Sequence, residues 1–161
     1  MSVRIDFADS VTDFKKARTL FIDYSESLGF SLSFQGFEEE LEHLPGEYAA
    51  PGGCILLAWD GLDCVGCACM RALSESVCEM KRLYVKPIYR GKGIGRMLAE
   101  KIVQLGSQKK YSRMQLDTLN KMKFAVELYK SLGFVERSPY YNNPHPEVIY
   151  FEIDLVKSTI Y

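Results

Sequence analysis

Hydrophobic positions recur along this chain with two periods, and the changes of period divide it into elements. Val3, Ile5 and Phe7 alternate with Arg4 and Asp6, the two-residue period of a strand. Val11, Phe14, Ala17, Phe21, Tyr24 and Leu28 then return every three or four residues, which predicts a helix capped by Asp9 or Ser10 and ended by Gly29. A short second helix is expected over 35–42, followed by Leu44-Pro45-Gly46 and a turn at Pro51-Gly52-Gly53. Strands over 54–59 and 63–72 flank Asp60-Gly61, a strong hairpin signal, and a third covers 77–85. A helix over 93–109 carries Ile94, Met97, Leu98, Ile102 and Leu105 on one stripe. A strand over 113–118 leads into a helix over 121–132, with Phe124, Leu128 and Leu132 four apart and Gly133 as its left-handed cap. Strands over 134–137 and 148–154 close the chain.

The resulting order is β-α-α-β-β-β-α-β-α-β-β. Antiparallel hairpins come first and one β-α-β unit follows, so the fold class is α/β: a mixed, mostly antiparallel central sheet flanked by helices. Composition agrees with one domain over 1–161, since 47% hydrophobic residues supply a core and 25% charged residues an ordinary surface. A net charge of -1 provides no basic field to recruit nucleic acid. No apolar run approaches the roughly 20 residues of a membrane span, and the stretch from Met1 to Asp6 lacks the apolar region of a signal peptide. A cytoplasmic location is expected.

Cys64, Cys67 and Cys69 crowd one predicted strand, and Cys64-x-x-Cys67 raises a metal or redox reading. Alternation along a regular strand sends residues three apart to opposite faces, no second pair follows, and neither His43 nor His145 is close in sequence. Buried small thiols and no metal are expected.

The informative stretch runs from Leu83 to Arg96. A strand ends, Pro87 breaks it, and Gly91, Gly93 and Gly95 lead into a helix. Bare backbone N–H groups at a helix N-terminus form an anion site, favoured further by the helix dipole. Lys92 and Arg96 add positive charge, and a diphosphate suits the loop. A Walker loop needs Ser or Thr after Gly-Lys, and here Gly93 follows Gly91-Lys92. A dinucleotide fingerprint has Gly at a third position, which is Arg96 here, and it follows a parallel strand rather than a hairpin run; Asp117 as a ribose-binding acid keeps that reading open.

Arg90-x-x-Gly93-x-Gly95 resembles the pyrophosphate loop of the GNAT superfamily of N-acetyltransferases. Leu83-Tyr84-Val85-x-Pro87 upstream and Ala125-x-x-Leu128-Tyr129-x-x-Leu132-Gly133-Phe134 downstream resemble the family's neighbouring segments. The element order is similar over nearly the whole chain, and the motifs span about 77–134. The resemblance implies a GNAT-like acyl-CoA N-acyltransferase fold. It implies acetyl-CoA as cosubstrate, held by Leu83, Tyr84 and Val85 and by Arg90, Gly91, Lys92, Gly93, Ile94, Gly95 and Arg96. It also implies a small-molecule or peptide amine as acceptor, direct attack in a ternary complex, and a possible homodimer. One departure is Met122, where many members carry Asn; Asn120 lies two residues earlier.

For the chemistry, the resemblance points to Glu79 as the base that deprotonates the amine and to Tyr129 as the acid beside the CoA sulfur. Glu79 sits among apolar strand neighbours, where a carboxylate's pKa can rise; a pair with Lys81 or Arg82 is the structural alternative. Asp117 is the rival base, and an amine needing no dedicated base is the third possibility. Tyr129 could equally be a core-edge residue. The segments 30–35 and 140–146 should flank the acceptor, while Asn and Pro in the second also fit plain turn chemistry. Glu38, Glu39, Glu40 and Glu42 read as a solvated helix face or as an attraction for a cationic amine. A silent acyl-CoA sensor with the same fold is the alternative to an enzyme.

Overall fold

The computed structural model describes residues 2–32 and 36–158. The elements are β1 (Val3–Phe7), α1 (Val11–Leu28), α2 (Phe37–Glu42), β2 (Cys54–Asp60), β3 (Asp63–Ala72) and β4 (Val77–Val85). They continue with α3 (Ile94–Gln108), β5 (Arg113–Leu119), α4 (Lys123–Ser131), β6 (Val135–Arg137), β7 (Val148–Asp154) and α5 (Leu155–Ser158). The order is the expected one with α5 added. The anticipated start of α2 at Gln35 falls outside the described residues.

Local chemistry explains the boundaries. Ser10, not Asp9, caps α1: its Oγ accepts the Asp13 N–H at 3.1 Å, while the Asp9 N–H donates back to the Asp13 carboxylate at 3.1 Å. That returning bond holds the Asp13 carboxyl below its ordinary pKa. Gly29 ends the helix at φ 79°, a conformation that costs glycine little. The hairpin between β2 and β3 closes through Gly61-Leu62, with Asp60 opposite Asp63.

The strands form one seven-stranded sheet in the order β1-β2-β3-β4-β5-β7-β6. Every neighbouring pair is antiparallel except β4–β5, which is parallel and is joined by α3, as two strands running the same way require a crossover. One core lies against α3 and α4, with Leu56, Met70, Leu98, Ile102, Met114 and Phe151 buried. The other lies against α1 and α2, with Leu20, Phe21, Leu57, Cys67 and Cys69 buried.

Three expectations from periodicity need correcting. Met97 is half-exposed, because the buried line of α3 runs through Ile94, Leu98, Ala99, Ile102 and Leu105. Phe124 is 94% exposed; α4 packs through Val126 and Tyr129, which leaves the first-turn Phe124 turned away from the sheet. Cys64 and Cys67 do not face opposite ways, since both join the core beside α1. Ala58 pairs with Gly66 and Trp59 with Cys64, so Val65 is an extra residue in β3 and this bulge resets the alternation. The thiols are buried as anticipated, and desolvation pushes Cys54 and Cys64 up to about 11.

A second bulge shapes β4. Tyr84 pairs with Cys67 and Lys81 with Cys69, leaving Arg82 and Leu83 opposite Ala68 alone. Arg82 takes φ 60°, a left-handed conformation uncommon for a side chain of its size. Its guanidinium reaches across to α2, where Nε and Nη2 donate to Glu40 at 2.9 and 2.8 Å, and it lies over the rings of Phe37 and Tyr24. Glu40 therefore turns inward, whereas Glu38, Glu39 and Glu42 face solvent. No helix of the described residues is long and apolar enough to cross a membrane.

Candidate active site

β4 and β5 are hydrogen-bonded neighbours only over Val77–Arg113, Cys78–Met114 and Glu79–Gln115. Beyond that point the bulge at Arg82 and Leu83 carries β4 away, and a cleft opens between the strands. Leu83, Asp117, Thr118, Met122 and Tyr129 line it. Leu83 borders the cleft and has no register partner in the sheet, so main-chain groups of β4 face the cleft there. Backbone polar groups left this way demand a partner, and an extended ligand arm satisfies that demand by adding a strand.

The glycine loop stands at the C-terminal end of β4. Gly91 and Gly93 adopt φ 79° and 83°, and a Cβ built on either meets no protein atom within 4 Å. The loop thus combines left-handed turns with open space above its backbone. Gly93 caps α3 without any side-chain acceptor, so the first-turn amides point into that space. This cradle fits a diphosphate. The positive side chains brace it: Arg90 Nε donates to the Val85 carbonyl at 2.8 Å, and Arg96 Nη2 donates to Ser131 Oγ at 2.6 Å, linking α3 to α4. Lys92 lies over the Tyr89 ring. Ile94 is core, Tyr84 is buried against Tyr24 and beneath Arg90, and Leu83 borders the cleft.

A second cavity of about 520 Å³ adjoins the cleft, bordered by Arg71, Glu79, Lys81, Gln115, Tyr140 and Tyr141. Glu79 is 2% exposed and accepts two bonds, from Arg71 Nε at 2.7 Å and from the Tyr140 hydroxyl at 2.6 Å. Arg71, directly across on β3, is thus a structural partner of Glu79. Arg71 also pairs outward with Glu47. Asp117 accepts the Tyr141 hydroxyl, and burial raises its carboxyl pKa against the opposing pull of that bond. Lys81 borders both cavities; burial and then the nearby Arg82 lower its ammonium pKa to about 8.

Tyr129 stands across the cleft from Leu83, with its ring against Phe134 and Phe151. Burial holds its hydroxyl pKa well above the ordinary value, so it stays protonated and able to donate. Met122 borders the cleft at the start of α4, at the position where Asn was expected, while the Asn120 backbone N–H is tied to the Glu147 carbonyl at 2.9 Å.

Sequence reasoning passed over Arg71 and took Lys81 only as a structural mate of Glu79, while Tyr140 and Tyr141 belong to the 140–146 loop expected beside the acceptor and do border the cavity. Arg71 was recoverable: strands joined through a short connection between Ala72 and Val77 put Arg71 opposite Glu79. The pairing of each tyrosine with its carboxylate carries no such signal, since folding brings that loop to the strands. That loop also meets the end of α1, where Phe30 stacks on His145 with ring centroids 4.2 Å apart. Of the segment 30–35 expected beside the acceptor, Ser33, Phe34 and Gln35 lie outside the described residues.

Comparison with known proteins bears on the family and the fold. Residues 17–134 match the acetyltransferase (GNAT) family. An uncharacterised N-acetyltransferase of Schizosaccharomyces pombe is 37% identical over 155 residues, covering 95% of this chain and 93% of that protein. Among solved structures, a GNAT-family acetyltransferase from Staphylococcus aureus superposes with a TM-score of 0.79 at 19% identity, over 96% of this chain and 99% of that one. The PaiA N-acetyltransferase from Thermoplasma acidophilum, crystallised with coenzyme A, superposes with a TM-score of 0.73 at 17% identity, over 96% and 99% of the two chains. The chain belongs to the GNAT acetyltransferase family.

Proposed function

We propose that this enzyme transfers an acetyl group from acetyl-CoA to a primary amine by direct attack within a ternary complex. The observation that carries the reading is the split between β4 and β5, which ends at an open backbone cradle. The cradle from Arg90 to Arg96 accommodates the CoA diphosphate, and the exposed edge of β4 at Leu83 accommodates the pantetheine arm. A main-chain N–H there polarises the thioester carbonyl and stabilises the charge it gains on attack. The coenzyme A held by the Thermoplasma acidophilum neighbour supports the same assignment.

The acceptor enters through the cavity between β3, β4 and the 140–146 loop, which places its amine beside the thioester. Nitrogen attacks the carbonyl carbon, the C–S bond breaks, and one N–H proton must leave. Glu79 is the base in this reading, held in place by Arg71 and Tyr140. Tyr129 donates to the departing sulfur, which needs only modest help because thiols are already fairly acidic. The buried cysteines, with pKa values pushed up, are poor nucleophiles and no acyl-enzyme is invoked. The test is release of free thiol from acetyl-CoA in the presence of a panel of amines, with mass spectrometry of the products. Turnover yielding an N-acetylated amine is expected; tight CoA binding with no turnover for any amine would reject the reading in favour of a sensor.

A further inference from the structure

Between the cleft and the acceptor cavity stands a side chain that the reaction as described does not use. Lys81 borders both spaces, whereas Glu79 borders only the acceptor cavity and Asp117 only the cleft. A proton leaving the amine at the thioester therefore has Lys81 on its way to Glu79. Strand alternation puts Lys81 and Glu79 on one face of β4.

We propose that Lys81 is the proton carrier of acetyl transfer: its neutral amine takes the proton shed by the attacking nitrogen and passes one to the Glu79 carboxylate. The inference rests on the acetyltransferase reading above. The balance closes. The acceptor nitrogen forms a bond to the carbonyl carbon and becomes positively charged, which makes it far more acidic than the free amine. Lys81 takes that proton and becomes an ammonium. The tetrahedral adduct collapses with loss of the C–S bond, and the sulfur takes the Tyr129 proton. Lys81 then gives its proton to Glu79, and exchange with water resets Glu79 and Tyr129.

The surroundings suit a carrier, which must exist in both protonation states. Burial and the positive charges of Arg82 on its own strand and Arg71 on β3 disfavour the ammonium, while Glu79 on β4 and Asp117 on β5 favour it. Tyr140 and Tyr141, from the loop above, give their hydroxyls to those same carboxylates and face this group with their pKa values raised by burial. Tyr24 of α1 lies in the same cleft and is likewise raised, to about 12, so it remains neutral. Poised near the working pH, a base is most efficient, and a desolvated lysine reaches that range where an exposed one does not.

The test compares Lys81→Met and Lys81→Arg with wild type, using the best amine from the panel, across pH. Arginine keeps the charge but does not give up its proton in any working range. Both variants should lose roughly 10²–10⁴-fold in kcat/KM, the worth of a positioned base, with acetyl-CoA affinity unchanged. The wild-type rate should rise with pH through about 8, and this limb should vanish in both variants. A tertiary amine, which carries no N–H to acetylate, should partly restore Lys81→Met. Wild-type kcat in Lys81→Arg would overturn the proposal and leave Lys81 as a binding charge. Acetylated Lys81 accumulating in wild type would also overturn it, by making Lys81 a nucleophile. Titration of the labelled Lys81 side chain by NMR needs no turnover: a midpoint near 8 is expected, and an ordinary lysine value of about 10.4 would refute the carrier. Absence of turnover in wild type would reject the acetyltransferase reading itself.

Discussion

Glu40→Ala should cost this protein far more than the loss of a helix-surface glutamate. Arg82 keeps a side chain that is 2% exposed and Glu40 one that is 16% exposed, joined by two hydrogen bonds of 2.9 and 2.8 Å. An exposed ion pair is worth about 0–1 kcal/mol. Removing one partner of a buried pair costs about 3–5 kcal/mol, because the other charge stays buried and uncompensated. Glu40 retains some solvent access, so the lower end applies, about 3 kcal/mol. For a chain of this size that lowers Tm by roughly 6–12 °C. Urea unfolding of both proteins measures the difference directly. Arg82 also sits at φ 60° in the bulge that opens the cleft, so loosening its anchor should weaken acetyl-CoA binding in titration calorimetry. Glu40→Gln, which keeps an acceptor, should lose less. The double change Glu40→Leu with Arg82→Met should recover much of the stability, since well-packed apolar replacements of buried pairs are often neutral or better. A loss below about 1 kcal/mol in Glu40→Ala would refute the argument, as would a double variant no more stable than Glu40→Ala.

Three further outcomes are expected. Tyr129→Phe keeps the ring packed on Phe134 and Phe151, so CoA affinity should hold while kcat falls roughly 10-fold or more, up to about 10²–10³; a wild-type rate would leave Tyr129 a core-edge residue. Gly93→Val introduces a side chain where the loop backbone should meet the diphosphate and strains φ 83°, costing roughly 1–2 kcal/mol of stability but abolishing CoA binding in calorimetry, and unchanged affinity in a folded variant would dismiss the cradle. The five buried thiols should resist an aromatic disulfide reagent at neutral pH until denaturant is added; rapid native labelling of Cys64 or Cys67 would contradict their burial.

The sequence alone determined whatever depends on neighbours along the chain. Ser10 and Gly29 bound α1, Asp60-Gly61 marks a hairpin, and glycines at 91, 93 and 95 before an amphipathic stripe mark a bare-backbone turn into α3, because caps, turns and periodicity act over a few residues. The tertiary structure decided what depends on which strand lies opposite. An extra residue at Val65 reverses the faces of the cysteines, and one at Arg82 and Leu83 opens β4 from β5; a bulge exists only relative to its partner strand, so no local pattern announces it. The carboxylates were legible as residues in strands, but their partners from distant elements were not. Tyr140 comes to Glu79 from 61 residues away and Arg82 to Glu40 from 42. Lys81 read as a plausible mate for Glu79 on the same face; the antiparallel register also sets Arg71 opposite Glu79, and Lys81 borders both cavities. Burial there, which only the assembled sheet and loops create, is what brings an ordinary lysine into the range where it can carry a proton.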